Sequence, residues 1–363
     1  MINKIPLGII LVIIFLSTNI ASDSRLHLIH ADKSFGKLIN GERVRFLSGN
    51  VEAYQDTLKM YCNEAIFFED KDKTEFIGNV LIDDSHHKLW ADKIIYYTDT
   101  RIAHCLGNVR ISGENDSLYA EKFIYQFRDS NATAETDVFI WDKQNNARIK
   151  GNYGYYLSSS RESHIFGNSY FEHAERGKTD TLFITSKQMD YYGLPPKRAV
   201  AIDSVRIFKG DVSASCDSAI YFVNEELVSL YINPLAWQGE SKMQGLQIDF
   251  TLDSLRINEI FLYDKAQITS LADSIEKKYN VLKGKSIQVT MAEGAPEKVI
   301  ARRNAISVYQ IDDNEVKQGT NSASSDSILI FFKEGIVDSI SIIGGTEGTF
   351  YPADWKGEIK SDY

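Results

Sequence analysis

Internal repetition constrains this chain more than any other feature. Gly49-Asn50-Val51 recurs as Gly78-Asn79-Val80 and as Gly107-Asn108-Val109, 29 residues apart each time. Between these markers, Leu89-Trp90-Ala91-Asp92-Lys93-Ile94-Ile95-Tyr96-Tyr97 is matched by Leu118-Tyr119-Ala120-Glu121-Lys122-Phe123-Ile124-Tyr125. A fixed period of this length marks stacked supersecondary units, none of which can bury its apolar face alone. Such stacks present extended surfaces or grooves in place of a compact catalytic pocket.

Two columns can be followed along the chain. Small residues fill the first: Ala31, Cys62, Ala91, Ala120, Gly151, Thr185, Cys216, Gly245, Gly284 and Ser325. This predicts a crowded interior point or tight bend in each unit. The second column runs Gly49, Gly78, Gly107, Thr136, Gly167, Asp203, Asn233, Asp264 and Arg303, and is read as opening each unit. Short alternating strands follow it, such as Val80/Ile82, Val109/Ile111 and Val138/Ile140. Alternation of this kind buries one face and wets the other. Polar turns such as Asp83–His87 and Ser112–Asp116 then lead into the small column, and aromatic pairs close the unit.

Each unit thus reads as strand, turn, strand, turn. Ten units give on the order of twenty short strands, with antiparallel pairing favoured over a parallel β-helix by the tight turns. Register raises one difficulty. If Ala91 and Ile95 both face inward, Lys93 should too, as should Glu64, Lys122 and Lys187 in the same slot. A corner or bulge is therefore expected there. Ser270–Asn280, with Leu271, Ile275 and Lys278 at helical spacing, is expected to form a short helical insertion near 270–280.

At the N-terminus, Lys4 followed by the apolar run Leu7–Leu16 and the small residues Ser17–Ser22 predicts a signal peptide over residues 1–22, or an anchor if it is not cleaved. No Cys follows the run, which argues against a lipoprotein. The remainder divides into repeats over 23–232, further repeats over 233–351, and a tail over 352–363. A net charge of −10 argues against nucleic acid. The 19 Tyr and 19 Phe against 6 Pro suit strands. Three scattered cysteines, Cys62, Cys105 and Cys216, make no disulfide framework and read as buried small hydrophobes.

No catalytic constellation emerges, and no metal or cofactor is expected. His86-His87 falls in a turn, where adjacent side chains diverge, and reads as solvated. Asp83-Asp84 and Asp312-Asp313 also lie in turns, where Asp bonds the backbone. Gly344-Gly345 lacks the Lys-Ser/Thr of a phosphate loop.

His30-Ala31-Asp32, the Gly-Asn-Val markers and Ala91-Asp92-Lys93-Ile94-Ile95-Tyr96 resemble the OstA-like family, organic-solvent-tolerance proteins that include LptA of lipopolysaccharide transport. The later blocks Leu282–Lys285, Asn304–Tyr309 and Ile340–Pro352 are similar to longer members. The resemblance implies an all-β, elongated and incomplete β-jellyroll, V-shaped in section. It also implies a periplasmic protein that binds lipopolysaccharide through its acyl chains and joins other jellyroll components, or itself, edge to edge. The expected groove lining is Val51, Val80, Ile82, Ile95, Val109, Ile111, Ile124, Val138, Ile140 and Ile220. The rival expectation is a structural or protein-binding β-solenoid of the cell envelope, with a dry interior and no lipid.

Overall fold

The computed structural model describes residues 25–85, 87–114, 116–143, 146–174, 181–222, 224–253, 256–273, 275–313 and 316–359. The predicted signal segment, His86 and the last residues of the tail lie outside them. The chain divides into two compact units, Met1–Arg198 and Ala199–Tyr363. Every element among the described residues is a β-strand, and every described pairing is antiparallel.

In the first unit β1 (His27–His30) and β2 (Lys33–Ile39) both pair with β3 (Glu42–Gln55). The sheet then runs on as a meander: β4 (Leu58–Phe68), β5 (Lys73–Asp83), β6 (Lys88–Tyr97), β7 (Ile102–Ser112), β8 (Asp116–Gln126), β9 (Asn131–Asp142), β10 (Ala147–Leu157), β11 (Glu162–Ala174) and β12 (Thr181–Tyr192). Consecutive strands pair because turns of a few residues leave no room for a crossover.

The repeated Gly-Asn does not open a strand, as the sequence suggests. It lies in the middle of one. Gly49-Asn50, Gly78-Asn79, Gly107-Asn108, Thr136-Asp137 and Gly167-Asn168 are each two consecutive residues with φ between +48° and +80°. Each pair faces a single residue on the next strand. Ser48 and Val51 pair with Glu64 and Cys62, leaving Gly49-Asn50 against Asn63 alone. Ile77 and Val80 pair with Lys93 and Ala91 in the same way. This two-against-one count is a bulge that bends the sheet along one line. Gly takes left-handed angles without steric penalty, and Asn tolerates them. Asn108 Nδ2 ties the bend down by donating to Asp92 Oδ2 at 2.8 Å, as Asn50 Nδ2 does to Asp32 Oδ2 at 3.1 Å.

The bend gives each strand two arms, A and B. In unit 1, arm A carries Leu47, Phe76, Ile94, Cys105 and Phe123, and arm B carries Val51, Val80, Val109 and Val138. The expected corner at Lys93, Glu64 and Lys122 is thereby found. The bulge shifts the alternation, so Ala91 and Ile94 face inward while Asp92 and Lys93 face out. The small column also holds, with one correction. Ser186, not Thr185, takes that place in β12: it pairs with Ser169 and is buried.

The second unit repeats the scheme with more interruptions. Its strands are β13 (Arg198–Lys209), β14 (Val212–Phe222), β15 (Leu227–Tyr231), β16 (Leu235–Gln238), β17 (Ser241–Gln244), β18 (Gln247–Asp253), β19 (Arg256–Asp273), β20 (Lys278–Ala292), β21 (Ala295–Asp313), β22 (Val316–Lys333), β23 (Ile336–Ile343) and β24 (Glu347–Pro352). Left-handed pairs recur at Asp203-Ser204, Ile232-Asn233, Asp264-Lys265, Arg303-Asn304 and Gly344-Gly345. The boundary drawn from sequence at 232/233 falls on one of these bends. A buried row of Leu230, Ile248, Leu262, Ile287, Ala301 and Ile328 crosses six strands.

The helix expected near 270–280 is not formed. Those residues end β19 and begin β20, and Asp273 Oδ1 accepts the backbone N–H groups of Ile275 and Glu276 to make the turn. Ladder bonds on both sides outweigh three residues at helical spacing.

A branched side chain at a bend should be costly. Gly107 has φ +73°, and a Cβ there would sit 2.5 Å from Asp92 Oδ2. Gly107→Val is expected to lower stability by about 1–3 kcal/mol in urea denaturation. Asn108→Gly should change it by well under half as much.

Candidate functional site

The concave face of unit 1 is the apolar feature from which a binding site could be made. One continuous cluster runs from Leu47 to Ile165 and takes side chains from both arms. Met60, Phe76, Val80, Ile94, Tyr96 and Cys105 are wholly buried within it. The expected lining residues divide in an informative way. Val51, Val80, Ile82, Val109, Ile111, Val138 and Ile140 belong to the cluster.

Ile95, Ile124 and Ile220 do not, and the expectation for these three is corrected. Ile95 and Ile124 lie on the opposite face of the sheet, between the buried pairs Ile94/Tyr96 and Phe123/Tyr125. In unit 2, Ile220 likewise stands half-exposed beside buried Ala219. All three follow a bend, where the bulge reverses the alternation that placed them inside.

Contacts that the sequence does not signal join the two arms at the free edge of the interior. The buried phenol of Tyr96, on arm A of β6, donates to Gln55 Oε1 on arm B of β3 at 2.6 Å. Burial pushes the Tyr96 phenol above its ordinary range, so it remains a donor. Next to this bond, Arg101 in the β6–β7 turn forms an ion pair with Asp56 in the β3–β4 turn. Gln55 and Tyr96 are 41 residues apart, and nothing local in the sequence links them.

Farther along the same edge, Asp84 is buried and accepts the backbone N–H of His87 at 2.5 Å. His87 is largely shielded, with 11% side-chain exposure, so it is not the solvated turn residue expected. Burial raises the carboxyl pKa of neighbouring Asp116, while His87 and Lys143 draw it back down. Asp83 and Asp84 do bond the backbone of their turn, as expected.

Between β8 and β11 the interior is less filled. A cavity of about 30 Å³ is lined by Leu118, Phe123, Tyr125, Val138, Ile140, Tyr156 and Ile165, among others. That is room for a water or two and far too little for an acyl chain. A long apolar ligand would have to displace side chains to enter here.

All three thiols are buried, as expected. Burial pushes Cys62 and Cys216 up to about 11, and Cys105 is raised further by the same cause. At pH 8 the thiolate fraction is small and the sulfurs are shielded. A disulfide reagent should label none of the three quickly in the folded protein and all three in urea. Tyr96→Phe removes the inter-arm hydrogen bond while keeping the ring. It is expected to cost about 1–2 kcal/mol in thermal or urea unfolding.

Residues 23–175 match the model of the OstA-like protein family. A solved structure, the crystal structure of LptH from Pseudomonas aeruginosa, is described as the LptA-homologous periplasmic component of the conserved lipopolysaccharide transport device. It matches with 14% identity and a TM-score of 0.29, covering 32% of this chain and 82% of its own. That overlap is too loose to transfer residue roles. No curated protein sequence matches the chain. Residues 23–175, which comprise the bent strands β1 to β11, are thus similar to the OstA-like family.

Proposed function

We propose that this chain is an exported, periplasmic protein of the lipopolysaccharide transport type, a carrier or bridge and not an enzyme. Its interior would hold acyl chains between the two arms of the bent sheet. The observation that carries this reading is the OstA-like match over a sheet whose concave face is apolar from Leu47 to Ile165. Each methylene moved from water into such an interior contributes about 0.8 kcal/mol. Val109, Ile111, Val138 and Ile140 on arm B, with Phe123 and Tyr125 on arm A, are the side chains such a lipid would touch. Lipid would enter at the Leu118–Ile165 cavity, and the Tyr96–Gln55 bond and Arg101–Asp56 pair would hold the earlier strands shut.

A photo-reactive residue at Ile111 or Ile140 is expected to crosslink to lipopolysaccharide in cells, while the same residue at Ile95, on the outer face, should not. Crosslinking from Ile95 alone would sink the proposal. The close packing of Met60, Phe76 and Tyr96 favours the rival, a lipid-free structural or protein-binding solenoid. Native mass spectrometry of the purified protein with added lipopolysaccharide separates the two. A lipid-sized mass increment supports the carrier, and its absence supports the rival.

The carrier reading also implies assembly through sheet edges, with another copy or with other jellyroll components. In the second unit β23 and β24 together cover β22, and among the described residues nothing pairs with their far side. Asp326 N donates to Gly344 O at 2.9 Å. Since ladder bonds recur at every second residue, Ile342 points its N–H to β22 and Ser341 points its N–H outward. Ser341→Pro is expected to weaken association in light scattering without lowering the melting temperature.

A further inference from the structure

We propose that the outer face of arm B in the first unit binds an anionic saccharide chain, a run of pyranose rings bearing carboxylate or phosphate groups. The surface is distinct from the interior discussed above. It is a cross-strand row over six neighbouring strands: Trp90 on β6, Arg110 on β7, Tyr119 on β8, Phe139 on β9, Lys150 on β10 and Tyr170 on β11. Each is registered directly opposite the next. Two cations stand among the four rings of the row. The Arg110 guanidinium lies 5.1 Å from the Trp90 ring and 5.6 Å from that of Tyr119, and Lys150 Nζ lies 5.5 Å from the Phe139 ring. Tyr119 and Phe139 rings are 5.8 Å apart.

Two facts point this row toward a ligand. The first is charge. The chain carries a net charge of −10, yet exposed Arg110 and Lys150 have no carboxylate partner among the described residues. Other cations of the sheet are paired: Lys73 and Lys93 with Glu75 on arm A, and Lys88 with Asp83 and Arg148 with Glu172 on this same face of arm B. Holding a cation over a ring at an exposed site stabilises only weakly, so stability alone is a weak reason for the arrangement. An anionic group would complete it.

The second is shape. Trp90, Tyr119, Phe139 and Tyr170 are half-exposed rings on the outer face, three of them flanked by the cations of the row. The apolar C–H face of a pyranose ring packs on such a surface. Neighbouring strands lie about 4.8 Å apart. Trp90 to Tyr119 and Phe139 to Tyr170 are therefore two-strand steps of about 10 Å, each with a cation midway, and the two cations stand about 14 Å apart, a spacing that two anionic groups of one saccharide chain can span. The corresponding outer row on arm A, Glu75–Ile95–His104–Ile124, offers no such set of rings and cations.

The test is calorimetric titration of the mature exported chain with oligogalacturonate, with neutral maltoheptaose and with oligouridylate. Oligogalacturonate is expected to bind at least tenfold more tightly than maltoheptaose, and to weaken as salt rises from about 50 to 200 mM. Arg110→Gln with Lys150→Gln should reduce its affinity at least tenfold while Lys93→Gln with Lys122→Gln, the same charge loss on arm A, leaves it unchanged. Hydrogen exchange of the unmodified protein gives an independent reading, since bound oligogalacturonate should protect β6 to β11 on arm B. No binding of oligogalacturonate, an equal loss on Lys93→Gln with Lys122→Gln, or protection elsewhere would overturn the proposal. Tighter binding of oligouridylate would assign the face to nucleic acid and overturn it as well.

Discussion

The doubled left-handed residue is the constraint on which the rest of this structure depends. A meander of amphipathic strands, left flat, would expose its whole apolar face to water. One extra residue in every second strand, always at the same height, folds that face onto itself. Where the pair is Gly-Asn the backbone takes this shape at little cost. Where it is Thr136-Asp137 or Arg303-Asn304, the ladder on both sides holds residues in angles they otherwise avoid. Because the bends line up, the core of unit 1 is one continuous cluster.

The sequence makes the period, the small column and the all-β character plain, because bends and buried small residues each demand particular residue types. It conceals what the bend does to alternation. Ile95, Ile124 and Ile220 follow the same period-two pattern as their neighbours. Only the bulge, invisible as a pattern, moves them to the other face. Thr185 and Ser186 are equally small, and a count along the chain cannot choose between them after the insertion at 175–180. Residues 270–280 show apolar spacing suited to a helix, yet their partners in the ladder lie in neighbouring strands. The Tyr96–Gln55 and Arg101–Asp56 contacts were beyond reach for a further reason, since each depends on how two arms meet across the bend.

The three faces of unit 1 are chemically distinct. Inside, aliphatic and aromatic side chains exclude water along the row Met60–Ile82–Leu89–Ile111–Leu118–Ile140. The outer face of arm A mixes isoleucines with paired charges such as Lys93–Glu75. The outer face of arm B carries the row of rings with Arg110 and Lys150 beside the ion pairs Arg148–Glu172 and Lys88–Asp83.

The arms do not meet strand for strand. Gln55 on β3 reaches Tyr96 on β6, so closure runs obliquely, three strands out of step. The first strands of arm A therefore have no described strand opposite them, and their inward side chains show it. In the single row that later holds Phe67, Tyr96 and Tyr125, the earliest positions are Gly36 and Arg45, with Arg45 held by Glu69 at 2.6 Å. The beginning of the sheet is thus a wetted overhang, written in the chain as a switch from charge to aromatic ring at the strand where cover starts.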